Sequence, residues 1–348
     1  MLLKDSGRVI RAGGWKSVLS VLGRLLGRLL VRGLVIGAVG MSASVSAAQP
    51  LRIALPLQPT ASLLIVALEK GFIAAQGVAV EVQEYPSGKA ALLDGLLRGR
   101  ADMAQMADVP AAFAMFLHPD FRLIATVNLS ENTNRIVANR ASGIGAPIDL
   151  LGKRVATQKA SAVHYFLHLV MLRHRISKDA ITAIYMPGAE LPKALAEGEI
   201  DAFAMREPYV SEAQQLLGGN ALVMEEPGLY PQFEVLAASE SALRDSEVAI
   251  EGLLRGLRAA QEWVAKHPDE TVDIVSRRLG ADPQKVSVVL QASIQRIALP
   301  QELLAALEDE MAWAVRAGLV EGKLPNVLRW LDSRPINNAV PGVATVME

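Results

Sequence analysis

Two stretches decide the reading of the fold. They are Gly99-Arg-Ala-Asp102-Met-Ala-Gln-Met106-Ala-Asp108-Val-Pro-Ala-Ala-Phe-Ala114 and Gly198-Glu-Ile-Asp201-Ala-Phe-Ala-Met205-Arg-Glu207-Pro-Tyr-Val-Ser-Glu-Ala213. At a constant offset of 99 positions Gly, Asp, Met, an acid and Ala coincide. In each stretch a glycine stops a helix, an apolar run opened by Asp makes a short strand, and an acidic turn starts the next helix. The same order of roles occurring twice predicts two related lobes built from strand–helix units.

The pattern extends outward from both copies. Upstream of the first, Leu51–Pro56 and Val78–Tyr85 read as strands, Ala61–Gln76 as a helix ended by Gly77, and Lys89–Arg98 as a helix behind the turn Pro86-Ser87-Gly88. Phe121–Asn128 follows as a strand. Around the second copy, Gly152–Thr157 and Ile181–Met186 read as strands, Ser161–Arg175 and Leu191–Glu197 as helices. Strands alternating with helices of this length predict an α/β protein with mainly parallel sheets flanked by helices. After a strand at Phe233–Ala238 the chain reads as almost wholly helical to Leu331.

Composition narrows the function classes. The 348 residues are 51% hydrophobic and contain no Cys, which excludes a disulfide framework, an iron–sulfur cluster and a cysteine nucleophile. Residues 1–47 hold seven Lys/Arg and one acid, leaving 28 bases against 35 acids in the remainder. A mildly acidic body behind a basic leader does not fit a nucleic-acid binder. The leader itself runs from basic residues through an uncharged apolar segment into Val45-Ser46-Ala47-Ala48, the order of a secretory signal peptide cut after Ala47 or Ala48. Its apolar core, Gly33 to Met41, is far shorter than the ~20 residues needed to span a bilayer. With no Cys behind it, the expected product is periplasmic and not a lipoprotein. Arg24, Arg28 and Arg32 at i, i+4 spacing also fit an amphipathic basic helix or an over-long leader.

Three segments carry a family resemblance: Ala90–Asp102, Gly152–Leu167 and Asp201-Ala-Phe-Ala-Met-Arg-Glu-Pro208. Together, in this order and spacing, they resemble the periplasmic substrate-binding proteins of ABC importers for nitrate, taurine and alkanesulfonates. The resemblance implies a two-lobed type II periplasmic-binding (Venus-flytrap) fold. Its first lobe would comprise 48–138 and 233–348, the latter with the C-terminal helices, and its second 139–232. It also implies a small, anionic solute of the sulfonate, taurine or nitrate class, delivery to a permease in the inner membrane, a monomer, and no cofactor. Two positions depart from the family pattern. Ala160-Ser161-Ala162 stands where relatives often carry Gly-Ser-Thr, and Arg206 where they often carry Trp.

In open parallel sheets ligands sit beyond the carboxyl ends of strands, where helix starts offer free N–H groups to an anion. The strand-to-helix loops at 57–60, 86–88, 107–109 and 158–162 therefore nominate Gln58, Thr60, Ser87, Gly88, Asp108 and Ser161, with His164 one turn into its helix. Plain helix capping accounts equally well for Thr60, Ser87 and Ser161. Arg206 could grip a sulfonate or carboxylate with two hydrogen bonds, or pair with Glu207 or Asp108 and touch no ligand. Asp108 and Glu207 could receive an amine or form contacts between lobes. Asp102 and Asp201 are expected to tie down local backbone N–H groups. His164 and His168, at i, i+4, lack the further ligands that a metal site needs.

A thiamine-pyrimidine precursor or aromatic solute is the alternative cargo, with Tyr85, Tyr165, Phe166 and Tyr209 as the available rings. An enzyme on the same fold is disfavoured by the missing Cys and by the absence of P-loop, HExxH or GxGxxG motifs. A transcriptional sensor would need a basic DNA-reading segment that the leader does not supply.

Overall fold

The computed structural model describes residues 49–347. The expected signal peptide, 1–47, lies outside the described residues, as does the cleavage position at Ala47 or Ala48. Two sheets organise the described chain. The first is made by β1 (Leu51–Pro56), β2 (Val80–Tyr85), β3 (Met103–Ala107), β4 (Phe121–Ser130), β10 (Gln232–Ser239) and β11 (Ser293–Ala298), in the order β11-β4-β10-β3-β1-β2. The second is made by β5 (Arg135–Asn139), β6 (Arg154–Thr157), β7 (Thr182–Tyr185), β8 (Ala202–Met205) and β9 (Ala221–Met224), in the order β7-β6-β8-β5-β9.

Each sheet is mixed, where the sequence predicts mainly parallel pairing. Parallel pairs occur where a helical connection intervenes, β1 with β2 and β3, and β6 with β7 and β8. The strands next to the two passages between sheets pair antiparallel: β10 with β3 and β4, and β5 with β8 and β9. These passages are the segments 131–134 and 225–231. A direct passage needs no βαβ crossover, so nothing forces parallel pairing there. β11 corrects the expectation of a wholly helical C-terminal region: Ser293-Ile-Gln-Arg-Ile-Ala298 pairs antiparallel with β4.

The internal echo has a structural counterpart. Asp102 accepts from the backbone N–H of Arg52 at 2.9 Å and from its guanidinium at 2.5 and 3.2 Å, while Arg52 also reaches the carbonyl of Gly99 at 2.9 Å. Asp201 accepts from the backbone N–H of Arg154 at 2.8 Å and from its guanidinium at 2.8 and 3.2 Å, and Arg154 reaches the carbonyl of Gly198 at 2.7 Å. One device, an aspartate clamping a neighbouring parallel strand, is thus used once in each sheet.

Helices cover both sheets. The main core gathers around the first sheet: Leu51, Ile53, Leu55, Met103 and Phe121 from strands, with Leu63, Leu64 and Ile65 of α1 (Ser62–Glu69), are all at most 1% exposed. A long C-terminal helix, Glu247–Val264, turns Ile250, Leu253, Leu254, Leu257 and Ala260 inward, an i, i+3, i+4 stripe that recruits it to this core. Burying each such leucine stabilises the fold by about 2 kcal/mol. Among the described residues no helix is long and apolar enough to cross a membrane.

Candidate functional site

β1, β2 and β3 run parallel, so the three loops that follow them open on one edge. Gln58 Oε1 accepts the backbone N–H of Gly88 at 3.3 Å, which ties the first loop to the second. Ser87 caps the short helix that begins at Gly88, its Oγ accepting from Ala90 N–H at 3.2 Å. Gly88 is needed for space: a Cβ there would stand 2.7 Å from Met106 Cα. Thr60 lies buried behind this edge, and Gln105 Nε2 donates to its carbonyl at 3.1 Å.

The second sheet presents a matching edge after β6 and β8. Ser161 caps the helix Ala162–Arg173, accepting from His164 N–H at 3.4 Å and donating to the Gln158 carbonyl at 2.5 Å. Ala160 adopts φ 52°, a left-handed conformation that favours glycine. Its N–H donates to His164 Nδ1 at 3.3 Å, while His164 Nε2 lies 3.4 Å from the Tyr185 hydroxyl. Burial, with like charge from His168, Lys159 and Lys89, pushes the His164 imidazolium down to about 4, so the ring is neutral and fixed. Trp313 packs edge-on against His164 at 5.0 Å and stacks on His168 at 5.8 Å. Both imidazoles, with Tyr185 and Trp313, also line a cavity of about 470 Å³, and among the described residues no group of three or more His, Asp or Glu is placed to hold a metal ion. The two edges touch through Lys89, whose Nζ donates to the carbonyls of Lys159 at 3.1 Å and Ala160 at 3.3 Å.

Between these edges lies a buried polar cluster. Glu234, on β10, is 1% exposed; it stands opposite Asn128 of β4 and Ala107 of β3. Gln232 Nε2 donates to Glu234 Oε1 at 3.1 Å, and Asn134 Nδ2 to Gln232 Oε1 at 3.1 Å. Burial raises the Glu234 carboxyl above the ordinary range; the Arg206 charge and the side chains of Thr60, Gln105 and Gln232 offset part of that rise. Glu234 Oε2, Gln105 Oε1, both amide atoms of Asn128 and Arg206 Nη1 are buried without a hydrogen bond from the chain. A buried polar atom left so costs about 1–3 kcal/mol; the Thr60 hydroxyl and Asn134 Oδ1 in the same network are left so as well.

Not every nominated residue joins this cluster. Asp108 is fully buried, but its oxygens accept from Tyr230 OH at 2.5 Å, Phe233 N–H at 2.8 Å and Val109 N–H at 2.9 Å. Glu207 accepts from Ser211 N–H at 3.2 Å and Ser211 Oγ at 2.8 Å, and lines a separate hollow of about 210 Å³ with Asn132, Arg135 and Glu225. Both acids offered as possible partners of Arg206 are thus occupied elsewhere; the acid whose charge it feels is Glu234. Of the rings, Tyr165 and Phe166 are core, with Tyr165 packed on Tyr230 and Trp313. Sequence reasoning missed Gln105, Asn128 and Glu234. Their signal was present: each is a polar residue flanked on both sides by apolar ones within a strand, as in Val127-Asn128-Leu129 and Phe233-Glu234-Val235.

Residues 58–271 match the family model described as NMT1/THI5 like. The chain belongs to the NMT1/THI5-like family. A protein of Bacillus subtilis (strain 168), named for binding aliphatic sulfonates, is 28% identical over 255 residues, covering 72% of this chain and 76% of that relative. Among solved structures, the periplasmic aliphatic sulphonate-binding protein SsuA of Escherichia coli superposes with a TM-score of 0.69 at 20% identity, over 81% of this chain and 91% of that one. The alkanesulfonate-binding protein SsuA of Xanthomonas axonopodis pv. citri, solved with MOPS, gives 0.68 at 23% identity over 81% and 98%. These likenesses establish the periplasmic-binding-protein fold for this NMT1/THI5-like chain. The same architecture also carries chemistry elsewhere, since the desulfurization enzyme DSZB superposes with a TM-score of 0.60 at 16% identity over 83% and 99%.

Proposed function

We propose that this chain is a periplasmic solute receptor that hands a small organic or anionic solute to an ABC importer. The leader at 1–47 directs export; 48–138 with 233–348 form one lobe and 139–232 the other; the two passages between sheets act as the hinge. Solute enters between the loop edges, and contacts from both sides shift an open–closed equilibrium toward the form the permease recognises. The observation that carries this reading is the polar cluster placed between the two carboxyl edges, with Glu234, Gln105 and Asn128 on one side and Arg206 on the other. A named sulfonate-binding relative favours solutes of the sulfonate, taurine or nitrate class. Binding, not turnover, is the reading for a chain that holds no cysteine nucleophile and whose named relatives are binding proteins. The receptor acts as a monomer.

A thermal-shift screen of the purified chain against nitrate, bicarbonate, taurine, alkanesulfonates, aromatic sulfonates and aminopyrimidines tests the reading. At least one of these is expected to raise the melting temperature in a saturable way. No response across the whole panel would count against the receptor assignment.

A further inference from the structure

The cavity of about 470 Å³ beside His164 lies at the β7 edge of the second sheet, and its volume suits a small organic molecule. Three elements wall it. The helix Ala162–Arg173 gives His164, Leu167, His168 and Met171, an i, i+3, i+4, i+7 stripe. β7 gives Ala183 and Tyr185, two residues apart on one face of the strand. The helix Gln301–Arg316 gives Trp313 and, three residues on, Arg316. None of the loop residues 57–60, 86–88 or 158–162 lines it, so it is a separate space from the gap between the loop edges.

Its walls are aromatic and its charges are positive. His164 meets Tyr185 edge-on at 5.1 Å and Trp313 edge-on at 5.0 Å, while His168 stacks on Trp313 at 5.8 Å. Burial, then the charge of Arg316, lowers the His168 imidazolium as burial lowers that of His164, so at neutral pH both rings are uncharged. Arg316 and Lys178 are the charged residues in the lining; no acid lines the cavity, and among the described residues neither cation has an ion-pair or hydrogen-bond partner. A third cation, Lys159, stands with its Nζ 5.5 Å from the Tyr185 ring. Trp313 is 2% exposed, and its indole N–H is without a partner among the described residues, as are the ring nitrogens of His168. The Ser177 and Tyr185 hydroxyls and the His168 ring can each donate or accept. The carbonyls that end the two helices are already taken: Met171 and Leu172 by Ile176 and Arg175 N–H at 2.8 and 3.1 Å, Trp313 and Ala314 by Ala317 and Leu319 N–H at 2.8 and 2.9 Å. Ring faces beside unpaired cations, with no acid to answer them, are complementary to an anion carried on a ring. We propose that this cavity is a second ligand site, for an organic anion with a flat aromatic body, a ring carboxylate or sulfonate. The ring packs against Tyr185 and Trp313, and the anionic group turns to Arg316. The site goes beyond the receptor reading and does not depend on it.

Calorimetric titration of the full chain with naphthalenesulfonate and with naphthalenemethanol, its uncharged counterpart, tests this. The sulfonate is expected to bind at least about tenfold tighter than the alcohol, the worth of a charge-assisted hydrogen bond. Arg316→Gln is expected to weaken the sulfonate about tenfold, and Arg316→Lys to restore part of the loss. Ala183→Trp, which fills the cavity from the exposed edge strand, is expected to block the probe. Both positions are exposed, so each variant should melt within a few degrees of the original and keep any thermal shift given by nitrate, taurine or an alkanesulfonate. Should one variant fail to fold, the other and the matched probes on the unaltered chain still decide. No binding of the sulfonate, binding no tighter than that of the alcohol, or binding that survives both Arg316→Gln and Ala183→Trp overturns the inference. The last of these would put the probe in the gap between the loop edges and leave the receptor reading standing.

Discussion

Replacing Glu310 by Gln should change how stability depends on pH, and the size of the change follows from a buried triad. Asp108 and Glu310 are both fully buried, and the Tyr230 hydroxyl lies 2.5 Å from one carboxyl and 3.2 Å from the other. Burial raises Asp108 to about 7; the hydrogen bonds from Tyr230, Phe233 and Val109 hold it lower than burial alone would, and Glu234 adds like charge. Glu310 is raised well above its ordinary range by burial, then by the charge of Asp108 and that of Asp309. The folded chain therefore keeps protons that the unfolded chain has released from about pH 4 upward. The stability these groups contribute is complete below about pH 4 and is lost as pH rises toward about 7, at up to ~1.4 kcal/mol per pH unit for each proton. An amide at Glu310 copies the neutral carboxyl and removes one titrating group. Near pH 4.5 the variant should match the original within ~1 kcal/mol, and as pH rises it should gain on the original by up to ~1.4 kcal/mol per pH unit. Taking the difference between the two chains cancels other titrations, such as His164, whose lowered value acts in the opposite direction. Urea unfolding followed by far-ultraviolet circular dichroism at both pH values reads it directly. A difference that stays constant with pH would refute the shared-proton account of the triad.

Three further changes test the local geometry. Gly88→Ala places a methyl 2.7 Å from Met106 Cα, so it should cost about 1–3 kcal/mol in urea unfolding and weaken any solute-induced thermal shift. Ala160→Gly relieves a left-handed alanine at φ 52°; the relief of about 1–2 kcal/mol is partly offset by unfolded-chain entropy, so a net gain below about 1 kcal/mol is expected, and a clear loss would contradict it. Asp201→Asn removes the charge that clamps Arg154 and should lower stability only modestly at neutral pH, because Arg154 is exposed. Hydrogen bonds from Arg154 lower the Asp201 carboxyl, so this cost should shrink as acid protonates it, which unfolding curves at falling pH would show.

The parts of the fold written in short-range chemistry were legible. Gly99 and Asp102 recur as Gly198 and Asp201 because the same arginine clamp, made by Arg52 and Arg154, closes both sheets. Ser87 and Ser161 could be placed at helix starts because a cap needs only neighbours three residues away. β5, β9 and β11 went unread for the opposite reason: they are four to six residues long, and their pairing rests on partners from 64 to more than 160 residues distant. The site divides along the same line. Gln58, Ser87, Gly88 and Ser161 lie on the loop edges that their local pattern announced. Glu234, Gln105 and Asn128 meet only because β10 inserts antiparallel between β3 and β4, a register that no local pattern encodes. Asp108 was left open between ligand and interlobe contact because an acid at a helix start looks the same in either role; here it turns toward Tyr230.

The claim at the centre of the account is that one small solute is held from both edges at once. Hydrogen–deuterium exchange on the full chain, with and without the panel solute giving the largest thermal shift, measures this most directly. Peptides spanning 57–60, 86–88 and 103–107 from the first sheet, and 158–162 and 205–207 from the second, should slow together on addition of solute. Protection confined to one set, or absent from both, would contradict the account.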